Sequence, residues 1–117
     1  MTSITSLIIK YWLHITVLLL VSITAFSLWP AAHLPKVPGS DKTHHFIAYA
    51  ALMLPASLRQ PKYFLYITLG FIAFSGAIEL IQPYVNRYGE WLDMAANTTG
   101  VFCGWLFAQL LLLINRK

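Results

Sequence analysis

Charge is what this sequence has least of. Of 117 residues only 10% are charged, and just four of those are acidic, while 58% are hydrophobic. A soluble domain carries about 45–50% apolar and about 25% charged residues. So short a chain cannot cover that much apolar surface with so few charges. A soluble globular domain, a disordered chain and a nucleic-acid binder are therefore excluded. Cysteine is nearly absent as well. Cys103 stands alone inside an apolar run, so no disulfide framework exists and nothing follows about redox compartment. Internal repeats, low-complexity stretches and a linker long enough to divide the chain are all missing, which leaves one domain. What the sequence does have is long hydrophobic runs, and these mark a small integral membrane protein.

A spanning helix needs roughly 20 predominantly apolar residues. Four segments meet or approach that length, at about 7–29, 42–58, 63–82 and 91–114. The expectation is an all-α, four-helix transmembrane bundle. Pro30 stops the first span and Pro83 the third; Pro55 is expected to kink the second or end it early. That second span is the weakest, being short and polar at its start. The first could be misread as a signal peptide, but its apolar stretch exceeds the usual 7–15 residues, so a retained span is expected. Four spans put both termini on one side. Lys10, Arg59, Lys62, Arg116 and Lys117 share that side, against Lys36, Lys42 and Arg87 on the other. The excess predicts cytoplasmic termini for a multi-pass membrane protein. The net charge of +4 is thus largely a topology signal.

The scarce polar residues gather at the opposite, external ends. Asp41, Lys42, His44 and His45 open the second helix; Glu79 and Gln82 close the third. Arg87 and Glu90 lie in the connection, and Asp93 and Asn97 fall in the first two turns of the fourth. Asp41, His45 and Tyr49 are successive i, i+4 neighbours and share a stripe. Ala73, Gly76, Glu79 and Gln82 repeat every three residues. Asp93 and Asn97 are i, i+4 and lead on to Gly100 and Gly104, a small-xxx-small pattern that lets helix backbones approach within lipid. Ionised side chains near the membrane interior are costly unless paired or lining a wet cavity. A shared inward face for Asp41, Lys42, His45, Tyr49, Glu79, Gln82, Arg87, Asp93 and Asn97 is the expectation, as a ligand-binding site.

A structural account of the same residues stands beside it. Asp41 and Asp93 can serve as helix N-caps, Glu79 and Arg87 as one ion pair, and the histidines as interfacial side chains. Trp29, Tyr84, Tyr88 and Trp91 read as interfacial aromatics. His14 and His33 have no visible partners. Asn97-Thr98-Thr99 matches a glycosylation pattern, but it falls within a helix expected to lie in the membrane.

Two motifs carry a resemblance to a known family. Asp41-Lys42-x-x-His45-Phe46-x-x-Tyr49-Ala50-x-Leu52 resembles the first signature of the VanZ-like family. Glu79-Leu80-x-Gln82, Arg87, Asp93-x-x-x-Asn97-x-x-Gly100-x-x-x-Gly104 resembles its second. The likeness covers about residues 39–104, and the first helix matches only in its hydrophobicity. One departure is Tyr88-Gly89-Glu90 after Arg87, where the family pattern is less charged and carries Ser or Thr; Glu90 is left without a family role. The resemblance implies a small bacterial inner-membrane protein whose namesake is associated with low-level resistance to the glycopeptide teicoplanin.

Three functional readings follow. In the first, Lys42 and Arg87 hold a phosphate-bearing lipid headgroup or a lipid-linked cell-wall precursor at the outer leaflet, and Glu79, Asp93 and Asn97 orient them; Arg suits bidentate phosphate contact. In the second, the chain is an enzyme at the same surface, with Asp41, His45, Glu79 and Asp93 as acid–base candidates. His45 and the acids could then hold a divalent metal, but no His-Glu-x-x-His motif is present and three separate helices supply the set. No nucleophile with a convincing base neighbour is visible, so binding without cofactor or metal is expected over catalysis. In the third, the chain is an accessory subunit of an envelope complex. Its partners are membrane lipids rather than nucleic acid, and an oligomer is compatible with each reading.

Overall fold

Proline and polar residues punctuate the apolar runs, and the helices of the computed structural model begin and end near them. The structure describes residues 3–28, 41–85 and 91–115. Among these it is all-helical, with α1 Ser3–Lys10, α2 Trp12–Ser27, α3 Asp41–Arg59, α4 Phe64–Ile81 and α5 Trp91–Asn115. A short 3₁₀ turn, Gln82–Val85, extends α4 through Pro83.

Among the described residues two helices are long and apolar enough to cross a membrane: α4 with its 3₁₀ turn, Phe64–Tyr84, and α5 from Leu92 to Asn115. A third crossing exists if α1 and α2 form one span, and here the expectation of an uninterrupted helix over 7–29 is corrected. The two segments meet at 80°, about Tyr11, whose φ and ψ of −108° and 27° lie outside the helical range. Hydrogen bonds Tyr11 N→Leu7 O (3.0 Å) and Ile15 N→Tyr11 O (2.9 Å) bridge the corner. The bend leaves Lys10 exposed, with its ammonium 5.3 Å from the Tyr11 ring centroid. It also turns Ile8 and Ile9 onto Leu58, Ala108 and Leu112. With 16 residues, α2 alone is about 24 Å long at 1.5 Å per residue.

The polar α3 does not qualify as a span by its own hydropathy, yet it is the hub. It packs against α1, α2, α4 and, most extensively, α5. Tyr49, Leu52, Met53 and Ala56 recur at i, i+3, i+4, i+7 and are all buried with Ile23, Phe71 and Val101. Pro55 lies inside the helix, so of the two expected outcomes, a kink or an early end, the early end does not occur. Proline forfeits one intrahelical hydrogen bond, and the burial of Ala56, Ser57 and Leu58 beyond it holds the last turn in place. The helix stops at Gln60, whose φ of 52° is left-handed and whose N–H donates to Ala56 O at 2.9 Å. This is an αL cap made by a non-glycine residue and followed by Pro61.

Contact between α3 and α5 is backbone-close because of two glycines. A Cβ placed on Gly100 would strike the Phe46 carbonyl oxygen and lie 3.2 Å from Phe46 Cα; one on Gly104 would strike the Ala50 carbonyl oxygen and lie 3.0 Å from Ala50 Cα. Phe46 and Ala50 are themselves one turn apart, so the Gly-x-x-x-Gly ridge of α5 lies along a matching row of α3. Outward faces are apolar: Leu13, Val17 and Val21 on α2, Leu65 and Leu69 on α4, Phe102, Leu106 and Leu110 on α5. Such continuous apolar exposure suits hydrocarbon as the solvent, not water.

Candidate functional site

The end of α2, the start of α3, the end of α4 and the start of α5 meet at one end of the molecule, and the polar residues meet with them. Gln82 closes the joint. Its Nε2 donates to the Ser27 carbonyl at 3.0 Å, tying the turn after α4 to the last turn of α2. His45, in the second turn of α3, sets Nδ1 3.7 Å from Glu79 Oε1 near the end of α4. Asp93, in the first turn of α5, completes the group: one potential ligand atom from each of His45, Glu79 and Asp93 lies within 4.8 Å of the others.

These side chains are largely withdrawn from the surface. His45 and Glu79 are 12% and 9% exposed, Asp93 4% and Asn97 1%. Tyr49 is buried one turn below His45, its ring 6.4 Å from that of Phe74. Helical geometry accounts for this. The i, i+4 spacing of His45 and Tyr49, and of Asp93 and Asn97, puts each pair on the face that its helix turns inward. On α5 that face continues through Gly100, Gly104, Ala108 and Leu112, all buried.

The polar atoms here exceed the hydrogen bonds available to them. Tyr49 Oη, Gln82 Oε1 and both amide atoms of Asn97 are buried with no hydrogen-bond partner among the described residues; His45 Nδ1 has only the long contact to Glu79. A buried donor or acceptor left unmet costs roughly 1–3 kcal/mol, so several in one place point to a water, an ion or a polar ligand among them. Below this cluster an open-sided groove of about 270 Å³ runs between α4 and α5, lined by Phe64, Leu65, Thr68 and Ile72 on one wall and Thr98, Val101, Phe102 and Trp105 on the other. Ile72 lies seven residues before Glu79 and Thr98 five after Asp93, so the groove's upper edge is roughly 8–10 Å beneath these two carboxylates.

Of the nine expected site residues, six are brought to this end: His45, Tyr49, Glu79, Gln82, Asp93 and Asn97. Gln82 has one amide atom committed to holding helices together. Asp41 and Lys42 open α3, but their side chains lie outside the described residues, as does Arg87 altogether. Glu90 and the aromatics Trp29 and Tyr88 lie outside them too. Asn97 is too deeply buried within α5 to accept a glycan, as its membrane position suggests. Sequence spacing missed the Ser27 carbonyl, because a backbone acceptor 55 residues away leaves no residue-type signal. It missed the groove for a related reason, since the lining is mostly ordinary apolar side chains contributed by separate helices.

A family model described as VanZ/LLP1 matches residues 3–113, taking in the first helices as well as both motifs. No curated protein matches, and no solved structure does.

Proposed function

The chain belongs to the VanZ/LLP1 family, and on that premise we propose that it is a multi-pass inner-membrane protein, of four spans with cytoplasmic termini, that binds a phosphate-bearing lipid or lipid-linked envelope precursor at the outer leaflet. One observation carries this reading: three helices bring a histidine, two carboxylates and a buried unmet amide to one end of the bundle, directly above an apolar groove. An amphiphile fits that pairing, with its headgroup at the polar cluster and an acyl chain along α4 and α5.

Charge supports the same orientation. Lys10, Arg59 and Lys62 are exposed at the end opposite the polar cluster, as a cytoplasmic face requires. Lys42 follows the first residue of α3 and precedes His45 by three positions, so its Cα lies near the same side of that helix. Lys42 and Arg87 are the cations proposed to meet the phosphate, with Glu79 and Asp93 orienting them and Asn97 bonding sugar or peptide groups. The namesake's association with teicoplanin fits a family acting where that glycopeptide meets its lipid-anchored target.

Native mass spectrometry of co-purified lipids tests the reading. Wild type is expected to retain anionic lipid, and a Lys42→Ala/Arg87→Ala variant to lose it; an identical lipid profile in both contradicts the proposal.

A further inference from the structure

The geometry points to a divalent-metal site, held by His45, Glu79 and Asp93, within the polar cluster. No sequence motif announces it, because each ligand comes from a different helix. A first-row divalent ion bonds imidazole nitrogen and carboxylate oxygen at about 2.0–2.2 Å, which sets ligand atoms roughly 3.4 Å apart in a tetrahedral shell. His45 Nδ1 and Glu79 Oε1 stand at 3.7 Å, already close to that spacing. The full triad lies within 4.8 Å, so closure needs a side-chain movement of about an ångström and no shift of a helix.

The donor set narrows the ion. One imidazole with two carboxylates is harder than a thiolate site and softer than an all-oxygen one, which favours Zn²⁺ or Mn²⁺ over Ca²⁺ or Cu⁺. Charge gives the site its reason. Two carboxylates and one imidazole held this close at low exposure make a donor set whose combined charge a dication complements. An independent observation points the same way. Asn97, one turn deeper than Asp93 on the inward face of α5, is 1% exposed and has both amide atoms without a partner among the described residues. An amide so placed can hydrogen-bond a metal-bound water or a ligating carboxylate, the supporting contact that metal centres use to fix their ligands. Three protein ligands leave a coordination position for water or for an oxygen of a bound phosphate. The site stands on its own residues, whether or not a lipid binds.

Full-length protein in detergent, stripped with chelator, tests this with the metals alone. Isothermal titration with Zn²⁺ and with Mn²⁺ is expected to show one equivalent per chain for at least one of them, and the bound metal to raise the unfolding temperature. His45→Ala and Asp93→Asn should abolish uptake, Asn97→Ala should weaken it roughly 10–100-fold, and His14→Ala should leave it unchanged. Circular dichroism checks that each variant keeps its helices. Should His45→Ala fail to fold, His45→Gln takes its place. Wild type that binds neither metal stoichiometrically overturns the inference whatever the variants do, and so does unchanged affinity in folded His45→Ala.

Discussion

At Gly104 a methyl group has nowhere to go, because the Ala50 carbonyl of α3 already occupies the space a Cβ needs, and the neighbour is backbone that cannot rotate aside. Gly104→Ala should therefore destabilise the protein by about 1–3 kcal/mol, the usual range for overpacking, seen as a lower unfolding temperature in detergent. At Gly70, on α4, a Cβ would meet nothing within 4 Å, so Gly70→Ala should stabilise by about 0.5–1 kcal/mol through helix propensity alone. Equal effects at the two sites would mean that the close α3–α5 approach is wrong. Gln60 offers the converse experiment. Its left-handed backbone suits glycine, and Gln60→Gly should raise stability by about 1 kcal/mol if the cap is formed as described; a loss of stability would refute the cap.

Among the elements, helix ends were the most legible part of the sequence. Pro61 follows the end of α3, Pro83 follows that of α4, and polar residues open α3 and α5, so these boundaries fell within a few residues of expectation. The corner between α1 and α2 carries no proline or glycine to mark it in the sequence, and Ile8 and Ile9 beside it pack onto the ends of α3 and α5. Pro55 sits inside α3, where buried neighbours on both sides outweigh its local cost. The corner predicts a depth profile. Spin labels moved along α2 should change depth by roughly 1.5 Å per residue of axial rise, whereas labels at Ile4 and Leu7 should hold nearly constant depth near the surface; a single continuous gradient through both segments would contradict the bend. Gln82 acts at this scale too. Removing its hydrogen bond to Ser27 in Gln82→Leu strands a half-buried carbonyl and should cost about 1 kcal/mol, measured by thermal unfolding; no loss would show that the α2–α4 tie carries no weight.

Among the described residues polarity divides by end: Glu79, Asp93, Gln82 and Asn97 at one, exposed Lys10, Arg59 and Lys62 at the other. Alkaline phosphatase fused after Asn115 should be inactive and one inserted at residues 86–90 active, and the reverse pattern would invert the proposed sidedness. The sequence revealed which face of each helix a polar residue occupies, since i, i+4 spacing is a property of a single helix. Distances between helices depend on how closely they pack, which two glycines set against two carbonyls of α3, so the meeting of His45, Glu79 and Asp93 could be expected only as a shared end, not as a triad. That meeting is the central claim, and short-span thiol crosslinking tests it most directly. In a Cys103→Ser background in native membranes, cysteine pairs 45/79, 45/93 and 79/93 should each crosslink rapidly. Failure of all three pairs, while a Ser27→Cys/Gln82→Cys pair reacts, would contradict the site.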